Sequence, residues 1–464
     1  MPNGLVTPGE WLVLVEHELL LFAGFFFLIG AIDEFAVDVI WLAMRVSGRA
    51  ETRRLPATGA APVPLAGEAA VFIAAWREAG VIGATVRHAL AAWPQAELRL
   101  YVGTYRNDPS TAEAVIEAAD GDTRLRLVIH DCDGPSTKAD CLNRLYRALE
   151  LDERRSGQAV RMVIMHDAED MVDPAALGLL DDAIGSHDLA QLPVLPEPLP
   201  HSRWIASHYC EEFAEAHGKA MVVRDLLGAG IPTAGVGCAI RRPILTELSA
   251  RRGGDGPFAP ECLTEDYELG LGIAALGGRS RFVRCRGANG RLVATRACFP
   301  DTLEGALRQK TRWVHGIAFQ SWDRLGWRAR PMDMWMRMRD RRGPLAALIM
   351  ASAYLLLLIF AVAWLARRAD LAPPLVLSAA LSSLVLVNLA SFVWRAAWRF
   401  AFTAREYGWA EGVRAILRIP ITNMIAILAG KRAFVDYLGT LRGASPRWNK
   451  TIHMVHPALA RASG

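Results

Sequence analysis

No lysine or arginine precedes Arg45. A secretory leader opens on basic residues and closes at a small-residue cleavage site. The first apolar block, residues 11–44, has neither and reads as an anchor that stays in place. Paired cysteines are missing too. Cys132, Cys141, Cys210, Cys238, Cys262, Cys285 and Cys298 are odd in number and contain no C-x-x-C. That argues against a disulfide framework or a cysteine zinc site and favours a reducing compartment. A strong charge imbalance is also absent: the formal net charge is +4. This is too little for nucleic-acid binding, and the basic residues gather beside apolar segments. His201, His208 and His217 follow no metal-ligand spacing and read as surface or packing residues.

What is abundant is apolar sequence, 52% of 464 residues, beside 22% charged. Both fit one chain if the apolar excess is gathered into a few segments around a globular domain. The first block has an uncharged core at 19–32, long enough with its flanks to cross a bilayer. Asp33, Glu34 and Asp38 follow, where the helix is expected to end at the interface; burial of these acids inside a bundle is the alternative. Blocks at 345–366 and 371–394 also have spanning length, with Arg367, Arg368, Asp370, Pro373 and Pro374 marking the turn between them. A fourth block, 413–429, carries Arg414, Arg418, Pro420 and Asn423 and suits an interfacial helix about as well as a span. The Trp residues from 394 to 409 read as an interfacial belt. Arginines cluster at 45–54, 337–342 and 395–405. By the positive-inside rule this puts residues 45–343 in the cytoplasm, with Arg367 and Arg368 dissenting. The expected division is an N-terminal transmembrane helix (1–44), a linker (45–67), a cytoplasmic domain (68–335) and a C-terminal membrane region (336–464) with two or three spans and an interfacial helix.

Within the domain, strand-like runs at 71–75, 98–102, 125–130 and 161–166 alternate with helix-like runs at 81–92, 111–119 and 138–149. This alternation predicts an α/β fold with a mostly parallel sheet, whose ligands sit at the carboxyl ends of the strands. The fourth strand runs into Asp167, Glu169 and Asp170, three carboxylates that would repel one another without a cation. Asp131 and Asp133 end the third strand with the same spacing, so spacing alone leaves two candidates. Thr264-Glu265-Asp266 opens an apolar helical run, where helix capping is a strong alternative role. Gln309-x-x-Arg312-Trp313 puts Gln309 and Arg312 on one helix face beside an aromatic ring. Gly235-x-Gly237 lacks the strand-to-helix setting of a dinucleotide loop and reads as a close turn.

Taken in order, Asp167-x-Glu169, Thr264-Glu265-Asp266, Gln309-x-x-Arg312-Trp313 and the following apolar helices resemble the membrane-bound branch of glycosyltransferase family 2, the group of cellulose, chitin and hyaluronan synthases. The stretches 212–218 and 235–239 look like the bacterial phage adsorption protein B-like glycosyltransferases within it. The resemblance implies a GT-A-type nucleotide-sugar domain flanked by transmembrane helices. It implies an inverting, metal-dependent hexosyl or N-acetylhexosaminyl transfer in the bacterial inner membrane. It assigns Asp266 as general base beside Glu265, and Asp167 and Glu169 as ligands of Mg2+ or Mn2+. These two are preferred over Asp131 and Asp133 because they follow the G-x-x-x-K-A-x-x-L-N run at 134–143. Substrate contacts fall to Glu78, Asp108, Lys138, Asp140, Thr264, Gln309, Arg312 and Trp313. Two positions depart from the pattern: Glu169 stands where a second Asp is usual, and Asp108 lies outside the usual D-D-x-S-like turn. Expected partners are a nucleoside diphosphate-sugar (a UDP-sugar favoured), a growing glycan for an exported polysaccharide, membrane lipid, and an outer-membrane export or receptor protein. Transfer of one sugar to a polyprenyl phosphate and a catalytically inactive receptor or assembly role are the alternatives.

Overall fold

The computed structural model describes residues 7–56, 63–327, 329–443 and 456–458, so part of the expected linker, 57–62, lies outside the described residues. The four apolar runs form β1 (Ala69–Ala74), β2 (Leu98–Tyr105), β3 (Leu125–His130) and β4 (Met162–Asp167). Three short strands complete the sheet: β5 (Leu189–Gln191), β6 (Cys238–Arg241) and β7 (Ser280–Phe282). The order is β3-β2-β1-β4-β6-β5-β7. Only β6 runs antiparallel to its neighbours, and every other pairing is parallel. The chain therefore adopts the expected α/β class with a mostly parallel sheet.

Such strands are buried on both faces, which is why they read as continuous apolar runs. Val71, Ile73, Leu100, Val102 and Ile164 pack on one side with the Ile82–Ala92 and Ala176–Ile184 helices. Phe72, Tyr101, Val163 and Met165 pack on the other with the Lys138–Ser156 helix. That helix outruns its predicted end and stops where Gly157 takes a positive φ of 70°, a conformation open to a residue without a Cβ.

Three helices, Pro8–Val46, Gly343–Arg368 and Ala379–Tyr407, are long and apolar enough to cross a membrane. A fourth span is added if Trp409–Leu417 and Ile419–Leu441, bent by 54°, are counted as one. The first helix starts on a capping box, with Thr7 Oγ1 accepting from Glu10 N and Thr7 N donating to Glu10 Oε2 at 2.7 Å, and Pro8 in its first turn. It does not end after Ile32 as expected. Its 39 residues make a rod of about 58 Å, nearly twice the hydrocarbon thickness. The acids expected at its end lie on its continuation, at a junction with the rest of the molecule. Asp33 pairs with Arg339 and Arg342 at 2.5 Å, and Glu34 with Arg339 at 2.9 Å and Arg395 at 3.3 Å. Asp38 is fully buried against Lys219 at 2.5 Å and accepts from Trp394 Nε1 at 2.8 Å. The counter-charges come from distant parts of the chain, so local sequence could not announce them.

The tryptophans read as a belt lie partly in the same place. Trp398 packs against Trp41, Phe402 and Trp394 at this junction, while Trp394 and Trp409 are exposed. Arg367, which dissents from the charge rule, is neutralised by the buried Glu16 at 2.8 Å. At the bend in the last pair, Arg418 is fully buried between Glu211 and Glu411 and donates to Arg203 O. Beyond the bend, Ile425 and Ala429 pack against Leu307 of the Leu303–Val314 helix.

Candidate active site

A cleft of about 480 Å³ opens where β1 and β4 end, and residues from both strands' ends line it, the place that open parallel sheets reserve for ligands. β4 delivers Asp167. Asp170 is turned back, its Oδ2 accepting from Asp167 N and lying 2.9 Å from His166 Nδ1; burial raises its carboxyl above the usual range. Asp167 and Glu169 line the cleft. Lys138 opens the Lys138–Ser156 helix, whose cap Thr137 accepts from Asp140 N. Its ammonium pairs with Asp167 and lies 3.7 Å from Glu265 Oε1. Burial opposes that charge, but Asp167, Glu265 and Asp266 outweigh it and keep the ammonium protonated. The acidic strand end thus already holds one cation.

Thr264 stands at the N-cap of the Glu265–Ala275 helix, yet its side chain caps nothing, and its Oγ1 is buried without a partner. Capping therefore does not explain this threonine. Burial brings Glu265 up to about 7, Lys138 pulling it down and Asp266 pushing it up. Burial also raises Asp266, against the pull of Lys138. The Asp266 carboxylate accepts from Tyr267 N at 2.8 Å, and Thr233 Oγ1 donates to its carbonyl at 2.8 Å. Gly235 and Gly237 both have positive φ, and a Cβ on Gly235 would lie 2.8 Å from Asp266 Oδ2. The Gly-x-Gly piece is a close turn wrapped onto this acid.

Gln309, Arg312 and Trp313 lie on the Leu303–Val314 helix, which passes into a π-helical stretch, His315–Gln320. That stretch clamps the Thr264 loop. A Cβ on Gly316 would sit 2.4 Å from Thr264 Oγ1. Gln320 accepts from Leu263 N at 2.9 Å and donates to Glu261 O at 2.8 Å. Among the described residues Arg312 makes no ion pair, and its Nε and Gln309 Oε1 are buried without partners. Lys310 is engaged with Glu212 and lies over the rings of Tyr209 and Trp313.

The cleft brings together Glu78, Lys138, Asp167, Glu169, Thr264, Glu265, Asp266, Gln309, Arg312 and Trp313. Asp108 and Asp140, also expected at the substrate, are not among its lining residues. Asp108 is buried and accepts from Arg77 N at 2.6 Å, fixing the turn that carries Glu78. Asp140 directs its Oδ2 to His130 Nε2, 3.2 Å away. The rival acids are committed elsewhere: Asp131 pairs with Arg144 at 2.9 Å and Asp133 with Arg106 at 2.7 Å. Sequence reasoning missed Gln191, buried in β5, which holds the glycine turn through Ala234 N and Val236 O. No motif marks a lone Gln in a three-residue strand. His217 also lines the cleft, its imidazole brought down to about 4 by burial. As a donor set Asp167 and Glu169 offer only hard oxygens, which suits Mg2+ or Mn2+, with the remaining positions open to phosphate oxygens.

A family model described as glycosyltransferase like family 2 matches residues 66–316. Two curated relatives are each 31% identical over 473 aligned residues: bacteriophage adsorption protein B of Escherichia coli K12 and bacteriophage N4 adsorption protein B of Escherichia coli O157:H7. The alignments cover 96% of this chain but 63% of the relatives, so the chain spans less than two thirds of their length. Among solved structures, the mannosyltransferase PcManGT from Pyrobaculum calidifontis, in complex with GDP-Man and Mn2+, matches with a TM-score of 0.50 at 17% identity, over 87% of this chain and 98% of that one.

Proposed function

This chain belongs to glycosyltransferase family 2, and on that premise we propose that it moves a sugar from a nucleoside diphosphate-sugar, a UDP-sugar by preference, onto a growing glycan with inversion at the anomeric carbon. The observation that carries this reading is the convergence of Asp167 and Glu169, Thr264-Glu265-Asp266, and Gln309, Arg312 and Trp313 on one cleft. Asp266 takes the proton of the acceptor hydroxyl as that oxygen attacks the anomeric carbon. The bond from that carbon to the diphosphate breaks, and the nucleoside diphosphate leaves with the electron pair. Arg312, whose guanidinium has no carboxylate partner among the described residues, and Lys138 face the charge that develops on it. Asp167 and Glu169 would hold Mg2+ or Mn2+, which supplies further positive charge to the diphosphate when bound. Trp313, with Phe213 and Phe299 close by, offers a stacking face to the acceptor sugar. The apolar helices support a place in the bacterial inner membrane, with the domain on the cytoplasmic side and the glycan destined for export. The test is release of nucleoside diphosphate by the purified chain in nanodiscs, across a panel of UDP-, GDP- and ADP-sugars with Mg2+ or Mn2+. One donor should be turned over; no release from any of them would overturn the reading.

A further inference from the structure

A second cavity, of about 490 Å³, shares no lining residue with the cleft. Its charged walls are Arg45, Arg54, Arg286 and Arg405, with the single acid Glu51. Arg45 lies in the last turn of the first membrane helix and Arg405 in the last turn of the Ala379–Tyr407 helix. Arg54 and Arg286 are brought side by side by a short parallel pairing of Arg53–Arg54 with Cys285–Arg286. Beside them Arg284, its side chain 7% exposed, donates to Thr52 Oγ1 and to Glu406, and Arg286 pairs with the same carboxylate. Five guanidiniums therefore meet two carboxylates, Glu51 and Glu406. Burial, and then Arg405, Arg286 and Arg45 working against the pull of Glu406, bring the Arg284 guanidinium down to about 10. Like charges gathered around one cavity repel, and an anion among them relieves that repulsion. Guanidinium forks match the oxygens of a phosphate group. A basic pocket where membrane helices end is placed to meet lipid headgroups.

We propose that this cavity binds a phosphate-bearing anion, either the headgroup of an anionic membrane lipid or a soluble phosphate. The ligand draws the ends of two membrane helices onto the domain through Arg45, Arg405 and the Arg54–Arg286 pair. This is independent of the reading given to the cleft.

The test uses the full chain in detergent with a chelator present, and follows the thermal unfolding midpoint against three probes: short-chain phosphatidylglycerol, short-chain phosphatidylcholine and inorganic pyrophosphate. Phosphatidylglycerol should raise the midpoint of the wild type and equally that of Arg312→Gln, which reports on binding in the cleft. The double variant Arg45→Gln/Arg54→Gln should need roughly tenfold more probe or greater for the same shift. Arg45→Lys/Arg54→Lys, which keeps the charge, should keep most of the response. If the glutamine pair does not fold, Arg54→Gln alone, at an exposed position, carries the test. A response to phosphatidylglycerol alone identifies a lipid source, and an equal response to pyrophosphate that depends on Arg45 and Arg54 identifies a soluble one. The proposal is overturned if phosphatidylcholine acts as well as phosphatidylglycerol, or if the glutamine variants respond to both phosphates like the wild type.

Discussion

Asp266→Asn keeps the size of the side chain and the oxygen that accepts from Tyr267 N, but it cannot take a proton. Turnover should fall by about 10²–10⁴, while donor affinity, measured by calorimetry with an unreactive nucleotide, changes little. An enzyme that kept a tenth of its rate would remove Asp266 from the role of base. The two acidic strand ends part company in the same kind of experiment. Asp167→Ala should lose both the response to Mn2+ titration and donor affinity, because that carboxylate lines the cleft. Asp131→Ala, which removes an exposed carboxylate paired with Arg144 and His130, should keep both. Exchange of the two phenotypes would reverse the assignment. At this scale the sequence was most readable where several residue types had to recur in order. It was least readable at Asp108, which holds the backbone of Arg77, a contact that spacing cannot express.

Among the elements, the π-helical stretch after Val314 lays Gly316 directly on Thr264. Gly316→Ala leaves no room for its Cβ, so it should cost about 1–3 kcal/mol and slow turnover as the Thr264 loop shifts. Gly178→Ala, in the Ala176–Ile184 helix with open space where its Cβ would go, should be neutral or stabilising by about 0.5–1 kcal/mol. Unfolding midpoints and nucleotide release for the two variants check the contrast, and equal behaviour would mean that the clamp does not matter. The strands were legible because buried parallel strands must be apolar throughout. The π-helical turns were not, since no residue pattern separates them from an ordinary helix.

For the whole molecule, arginine placement predicts orientation. Reporter fusions at Arg54 and Arg342 should both report the cytoplasm, and one at Asp370 the outside. A fusion at Asp370 that reports the cytoplasm would overturn the arrangement. The long apolar helices and the mostly parallel α/β sheet could be read from the sequence, but the way the parts are joined could not. Asp33, Glu34 and Asp38 looked like the end of a helix because the cations that answer them, Lys219, Arg339, Arg342 and Arg395, lie far along the chain.

That long first helix turns the domain from a weight on a leash into a lamp on a bracket. Ion pairs from Asp33, Glu34 and Asp38 to Lys219, Arg339, Arg342 and Arg395 tie the helix to the rest of the molecule, so if that helix spans, they would fix how the cleft faces the bilayer. Splicing extra Gly-Ser residues in after Pro56 should leave turnover unchanged. Replacing Asp33 and Glu34 together by Asn and Gln should slow it without touching the cleft. A leash would give the opposite pair of results.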